Sequence, residues 1–368
     1  MNRALHDHND YFTSSPTLRI TVSLLESLKE KLRRHPKRIV FPEGADPRII
    51  QAARQFVTNK LGVPVLLGDR RVIKQNAMQL NINLERIRLV EPSRTDEVEL
   101  YMERLQEIEH FRKYSAEELR EKVLDTNHYA ALMVANGQAD GVVSGATTLA
   151  SSALRPLIRI LPKLSHMGTV SSLLILDINV NADEEERKVL FLADTAVIPD
   201  PEALQLADIA VTTAALRHHL TNERSRIAML SYTTHSENTK HARVLKMKEA
   251  TRLAKEKIHA LKLDFDIEGE MQADAALDPF TAKIKGLTGN VAGDANVLVF
   301  PDLFASNIAS KMIQCLGSCR SYGQILTGFS RPAAEISRSS SAHDILGTAV
   351  IVAAQAVDRR LLFSDSYL

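Results

Sequence analysis

The run Ser337-Arg338-Ser339-Ser340-Ser341-Ala342-His343-Asp344 brings a hydroxyl, a guanidinium and a carboxylate within eight positions, where a loop should enter a helix. A hydroxyl at Ser337 can bond a reacting group, Arg338 can grip phosphate oxygens through its planar fork, and Asp344 can accept a proton. A second small-residue loop, Ser144-Gly145-Ala146-Thr147-Thr148, is followed by Arg155-Pro156. Its backbone amides can approach an anion, with Arg155 as the charge. A third loop, Ser231-Tyr232-Thr233-Thr234-His235-Ser236, offers Ser231, Thr233 and further hydroxyls. Loops of this kind point to a phosphorylated or polyanionic small substrate.

Each loop also has a purely structural explanation. The second suits a tight turn with Arg155 solvated, and the loop alone does not choose between the two. Ser, Thr and Asn in the third are the usual residues that cap helices. Ser341-Ala342-His343-Asp344 has the Ser-x-x-Asp form of a capping box before an apolar helix. Loss of a cap costs about 1 kcal/mol, whereas loss of a general base costs roughly 10²- to 10⁴-fold in rate, so experiment separates these roles.

The elements that must position these loops are legible as short apolar runs. Strands are expected near residues 38–41, 63–67, 87–90, 141–144, 173–177, 189–193, 227–231, 265–268, 297–300 and 324–327, most of them separated by amphipathic helical segments. Leu24, Leu28 and Leu32, with Leu25 alongside, mark one face of a helix that Pro36 stops. The alternation predicts an α/β protein with largely parallel sheets, whose ligands sit beyond the carboxyl ends of the strands. Residues 1–16 are expected to form a loose tail.

Composition excludes several classes. Lys+Arg 46 against Asp+Glu 45 leaves a net charge of +1, without the basic footprint of a nucleic-acid binder. Cys315 and Cys319 are too few for a disulfide framework, which fits a reducing cytoplasm; their spacing suggests one helix, with both facing the core. The most apolar stretch, residues 345–357, is too short to span a bilayer, so neither a membrane nor nucleic acid is expected as partner. No His-Glu-x-x-His, Cys-x-x-Cys, Walker or Gly-x-Gly-x-x-Gly pattern occurs, so no metal and no dinucleotide cofactor is expected. The adjacent His218 and His219 are expected at the surface, near a helix end. Among the histidines, only His343, beside Asp344, is placed for chemistry.

From about Arg38 to about Asp358 the chain resembles the phosphate acetyltransferase, or phosphotransacetylase, family. The resemblance is carried in order by Phe41-Pro42-Glu43-Gly44, Ala139-Asp140-Gly141-Val142-Val143-Ser144-Gly145-Ala146, Leu154-Arg155-Pro156, Ala228-Met229-Leu230-Ser231-Tyr232 and Glu268-Gly269-Glu270-Met271-Gln272. It continues through Asp274-Ala275-Ala276, Phe300-Pro301-Asp302-Leu303 and Ile336-Ser337-Arg338. The resemblance implies interconversion of acetyl phosphate and coenzyme A with acetyl-CoA and phosphate. It also implies a two-domain α/β fold like that of isocitrate and isopropylmalate dehydrogenases, with an active-site cleft. By that analogy residues 1–165 and 325–368 form one domain and 166–324 the other, and the protein is a homodimer. Coenzyme A is then a cosubstrate, with no tightly bound cofactor.

Carried over by position, Asp344 takes the thiol proton, Ser337 bonds the thiol or oxyanion, and Arg338 and Arg155 shield the phosphate. Ser144, Gly145, Ser231 and Thr233 would bind substrate. The chain departs from the family at Ser339-Ser340, where Gly-Cys is common, and at Arg331 and Glu268. It also departs at Glu109, where a further cleft arginine is usual; Arg104 or Arg112 would have to replace it. A butyryl-preferring acyltransferase and a non-catalytic acetyl-CoA sensor are the competing expectations.

Overall fold

The computed structural model describes residues 23–164, 167–179, 187–317 and 319–357. The expected tail before residue 16 and the domain boundary at residue 165 lie outside them. Eleven strands among the described residues form one sheet: β1 (Lys37–Phe41), β2 (Gly62–Leu67), β3 (Arg88–Val90), β4 (Gly141–Ser144), β5 (Ser171–Asn179), β6 (Arg187–Ala193), β7 (Arg226–Leu230), β8 (Asp266–Met271), β9 (Val297–Val299), β10 (Cys319–Thr327) and β11 (Ala333–Glu335). Their order is β3-β2-β1-β4-β11-β10-β5-β6-β9-β7-β8. The α/β expectation holds, and each expected strand has its counterpart.

The sheet reverses direction in its middle. β3, β2, β1, β4 and β11 are mutually parallel, as are β6, β9, β7 and β8. Between the two sets, β10 and β5 pair antiparallel with each other, β10 with β11 and β5 with β6. The sets therefore run in opposite senses. Register fixes where they meet: Ala334 pairs with Ile325, Ile325 with Leu173, and Leu173 with Ala193. Along that line β11 stands one residue from its end and β6 reaches its last. The carboxyl ends of both sets consequently converge near the amino end of β5 and the carboxyl end of β10, where ligands are expected in parallel sheets.

Local sequence explains the elements that frame this line. Helix Ala342–Gln355 is buried from Ile345 onward and made of small and branched apolar residues, so it packs on every side and lies against β10, β4 and helix Pro47–Thr58. Helix Leu24–Arg34 buries Leu24, Leu25, Leu28 and Leu32, as its spacing predicts, and its Ser23 cap accepts from the Glu26 amide.

Two expectations are corrected. Cys315 and Cys319 do not share a helix: helix Leu303–Leu316 ends at Gly317, and Cys319 begins β10. Cys315 is exposed rather than core-facing. His218 is exposed, but His219 is buried on helix Ala203–Thr221 with Nε2 at 3.3 Å from the Ala354 carbonyl. The helix is buried on nearly every side, and in its last turn His219 faces inward while His218 faces out.

Candidate functional site

A cavity of about 290 Å³ opens where the carboxyl ends meet. Its walls come from β5 and β10, the turn after β6, helix Leu303–Leu316, the segment from Glu335 to Ser340, and Asp344 and Thr348 of helix Ala342–Gln355. Ser337 and Asp344, distant in sequence reasoning only by a loop, share this cavity.

The capping box is real. Asp344 Oδ2 accepts from the Ser341 amide at 2.9 Å and from its hydroxyl at 2.7 Å, while Ser341 Oγ accepts from the Asp344 amide. No described donor reaches Oδ1. The cap and the chemical role are therefore compatible: one oxygen is fixed by the helix start, which aims the carboxylate and leaves the other oxygen open to a proton. Ser337 Oγ lies 2.9 Å from Ser339 Oγ, and the Ser339 amide also donates to it. His343 is exposed beside Arg320, outside the cavity wall.

The loop after β4 has its amides already occupied. Glu43 Oε2 accepts from the amides of Gly145 (2.9 Å) and Ala146 (2.8 Å), and Oε1 from those of Thr147 (3.0 Å) and Thr148 (3.1 Å) and from both threonine hydroxyls. The amides of Gly145 and its neighbours, expected to cradle a substrate anion, are held here by the carboxylate of Glu43. Ser144 is buried and donates to Asn127 Oδ1 at 2.6 Å, so its hydroxyl is spent on packing. Gly145 has a different necessity. At φ +114° a Cβ would lie 2.4 Å from the Ile336 carbonyl, so only glycine lets this loop approach the Ser337 loop.

Arg48 ties the two loops together. Its Nη1 donates to the carbonyls of Arg338 (2.6 Å) and Ser340 (2.9 Å), and its Nη2 to the carbonyl of Ala146 (2.7 Å) and to Asp46 Oδ2 (2.8 Å). Burial opposes ionisation of Asp46, but the hydrogen bonds and charge of Arg48 outweigh it and hold the carboxyl below the usual range.

The loop after β7 is anchored similarly. Thr233 Oγ1 donates to Glu270 Oε1 at 3.2 Å, the Ser236 amide and hydroxyl donate to the same oxygen, and Ser231 Oγ lies 3.3 Å from Thr233 Oγ1. Ser231 and Thr233 leave a carboxyl end of the second strand set but do not line the cavity.

Arg155 and Arg338 are exposed, and neither guanidinium has a partner among the described residues. Neither lines the cavity, although Ala150 on the helix of Arg155 does, as do the neighbours of Arg338. Arg104 pairs with Glu107, and Arg112 donates to the Glu107 carbonyl; both lie outside the cavity wall.

Sequence reasoning missed four groups. Glu43 and Arg48 act through contacts that no local pattern reveals. Lys311 projects into the cavity from helix Leu303–Leu316. Glu335 ends β11 at 6% exposure, and its burial pushes the carboxyl up to about 7, with Lys311 opposing the rise and Glu43 adding to it. A lone charge in Ala333-Ala334-Glu335-Ile336 was the available signal, since such residues are rarely buried without a reason.

Residues 23–353 match the family model described as phosphate acetyl/butaryl transferase. The chain is similar to the phosphate acetyltransferase of Acetivibrio thermocellus, 36% identical over 91% of this chain and 98% of that one. It is likewise similar to the phosphate acetyltransferase of Bacillus subtilis, 35% identical over 91% of this chain and 99% of the other. Among solved structures, a phosphotransacetylase from Streptococcus pyogenes superposes with a TM-score of 0.81 at 35% identity, covering 91% of this chain and 98% of that chain.

Proposed function

The chain belongs to the phosphate acetyl/butaryl transferase family, and from that premise we propose that it is a phosphate acetyltransferase, moving an acetyl group reversibly between acetyl phosphate and coenzyme A. The single observation that carries the residue assignment is the shared cavity of Ser337 and Asp344, with Asp344 Oδ1 left open by a fixed Oδ2. A thiol with an ordinary pKa of about 8.5 is only slightly ionised at neutral pH, so its attack needs a base. Asp344 takes the thiol proton. The thiolate attacks the acetyl carbonyl carbon, the bond from that carbon to the bridging oxygen breaks, and phosphate leaves with the electron pair. Ser337 donates to the oxyanion that forms in between.

Both reactants are anions, so cations must offset their repulsion. Arg155 and Arg338, exposed and without partners among the described residues, are free to close on phosphate oxygens through their forks. Ser231 and Thr233 are assigned to the more distant part of coenzyme A, as members of a loop leaving a carboxyl end of the second strand set. Mixing the purified protein with acetyl phosphate and coenzyme A tests the activity. Thioester formation well above a buffer control is expected, and its absence rejects the reading.

Residues 1–165 with 325–368, and residues 166–324, are assigned to two domains, a division supported by the change of strand direction at β10 and β5. The cytoplasm is the assigned compartment, which fits two unbridged cysteines. The assembly is assigned as a homodimer. Supporting it, helix Leu303–Leu316 presents Phe304, Ile308, Met312 and Leu316, each at least half exposed, at intervals of four residues. Such a continuous apolar stripe suits burial against a copy of itself. Ile308→Asp should shift the mass measured by light scattering from that of a dimer to that of a monomer. A dimer that persists in this variant would exclude the face.

A further inference from the structure

We infer that Glu335 is a second acid of the cavity, which receives the phosphoryl group of the substrate as a neutral carboxyl and donates a hydrogen bond to one of its oxygens. The inference rests on the acyl-phosphate reading above and deepens it. Glu335 is more than nine-tenths buried and lines the cavity together with Ser337 and Asp344, yet no described side chain or amide gives its carboxyl a hydrogen bond. A buried carboxylate without donors is costly, whereas a protonated carboxyl with an incoming acceptor is satisfied. An ionised Glu335 in the cavity that Asp344 also lines would add a second negative charge against a phosphoryl dianion.

The surroundings favour the neutral form. Lys311, on helix Leu303–Leu316, is the cation that acts on Glu335, and Glu43, after β1, is the anion; Asp344, on helix Ala342–Gln355, lines the same cavity. Gln324 and Thr195 line the same cavity from β10 and the turn after β6 and carry no charge; the hydroxyl of Thr195 donates to Gln324 Oε1. The loop after β4 contributes Gly145, whose missing side chain leaves the space beside Glu335 Oε1, 3.1 Å from where a Cβ would stand. Burial raises the carboxyl to about 7, so near neutrality the proton is taken from water as the anion enters and returned as it leaves. No bond to carbon or phosphorus changes in this step.

Sulfate is the probe, because it is a tetrahedral dianion between about pH 6 and pH 8.5 and does not itself titrate there. For the wild type, sulfate affinity is expected to fall about tenfold per pH unit above about pH 7. Calorimetry in buffers of different ionisation enthalpy should report about one proton taken up per sulfate at about pH 8. Glu335→Gln, which keeps a donor and loses the titration, should bind sulfate with no such slope or uptake, and at pH 8.5 about thirtyfold more tightly than the wild type. The same slope and uptake in both proteins, or no proton uptake and a flat profile in the wild type, or no sulfate binding at any pH, would overturn the inference. If the variant fails to fold, as read by circular dichroism, the wild-type proton count alone decides.

Turnover separates this inference from the reading beneath it. Wild-type protein inactive with acetyl phosphate and coenzyme A sinks the acyl-transfer assignment, whatever sulfate does. An active wild type whose KM for acetyl phosphate rises with pH just as it does in Glu335→Gln sinks the role of Glu335 alone.

Discussion

Asp344→Asn is expected to lower turnover by about 10²- to 10⁴-fold, the range for removal of a general base, while the protein loses only about 1 kcal/mol of stability from its weakened cap. The disparity arises because Asp344 does two things with two oxygens. Oδ2 is held by the Ser341 amide and hydroxyl, an arrangement an asparagine oxygen can largely reproduce. The proton-accepting capacity of the other oxygen is lost outright. Ser341→Ala is the matching control, since it removes the hydroxyl from the cap and keeps the carboxylate. Its turnover should stay within about tenfold of wild type at a similar stability cost. Steady-state rates and thermal melts on both variants check this. Equal rate losses in the two, or a large melting shift in Asp344→Asn with near-normal rate, would assign Asp344 to the helix start alone.

Arg48→Met should lower kcat/KM by about 10²-fold, although Arg48 is placed outside the cavity wall, because displacement of reacting groups by about an ångström has that effect. One guanidinium fixes the carbonyls of Arg338, Ser340 and Ala146 and pairs with Asp46, so the loop carrying Ser337 and the loop after β4 share this side-chain anchor. Methionine keeps the length and apolar stem but no donor. The side chain is about one-third exposed, so water can partly re-solvate the freed carbonyls, and the stability cost should be about 1–3 kcal/mol. Arg48→Lys should recover little, because one ammonium cannot span three carbonyls and a carboxylate in a plane. Wild-type kcat/KM in either variant would show that the loops hold their position unaided.

What the sequence disclosed about this site follows the distance over which each feature acts. The capping box spans three residues and was readable as Ser341-x-x-Asp344. The strands were readable as apolar runs, with one informative shortfall: β10 was expected from residue 324 but begins at Cys319, because Cys-Arg-Ser-Tyr-Gly alternates without an apolar face. β11 was not expected at all, since Ala333–Glu335 is three residues of mostly small side chains. The loop after β4 was read as one that points amides at an anion, and in the fold those amides are occupied by a carboxylate of the chain itself. Its occupant, Glu43, lies 102 positions upstream of Gly145. Arg48 and Arg338 are 290 positions apart, and only the folded chain brings them together. Glu335 likewise meets Lys311 and Glu43, one 24 and the other 292 positions away, only in the folded chain.

The paired β5 and β10, nine residues each, lie between the two opposed strand sets and are hydrogen-bonded to one strand of each. Any breathing of the crevice must therefore flex a hydrogen-bonded ribbon, in the manner of a leaf spring, where a slack tether would have let the halves swing freely. The ribbon is interrupted between Tyr322 and Ile325, and Gly323 there, at φ +107°, leaves no room for a Cβ beside the Ile325 amide and the Leu173 carbonyl. A change in the gap between Asp344 and the turn after β6 would have to bend these two strands, and Gly323 marks the point where their ladder is already broken.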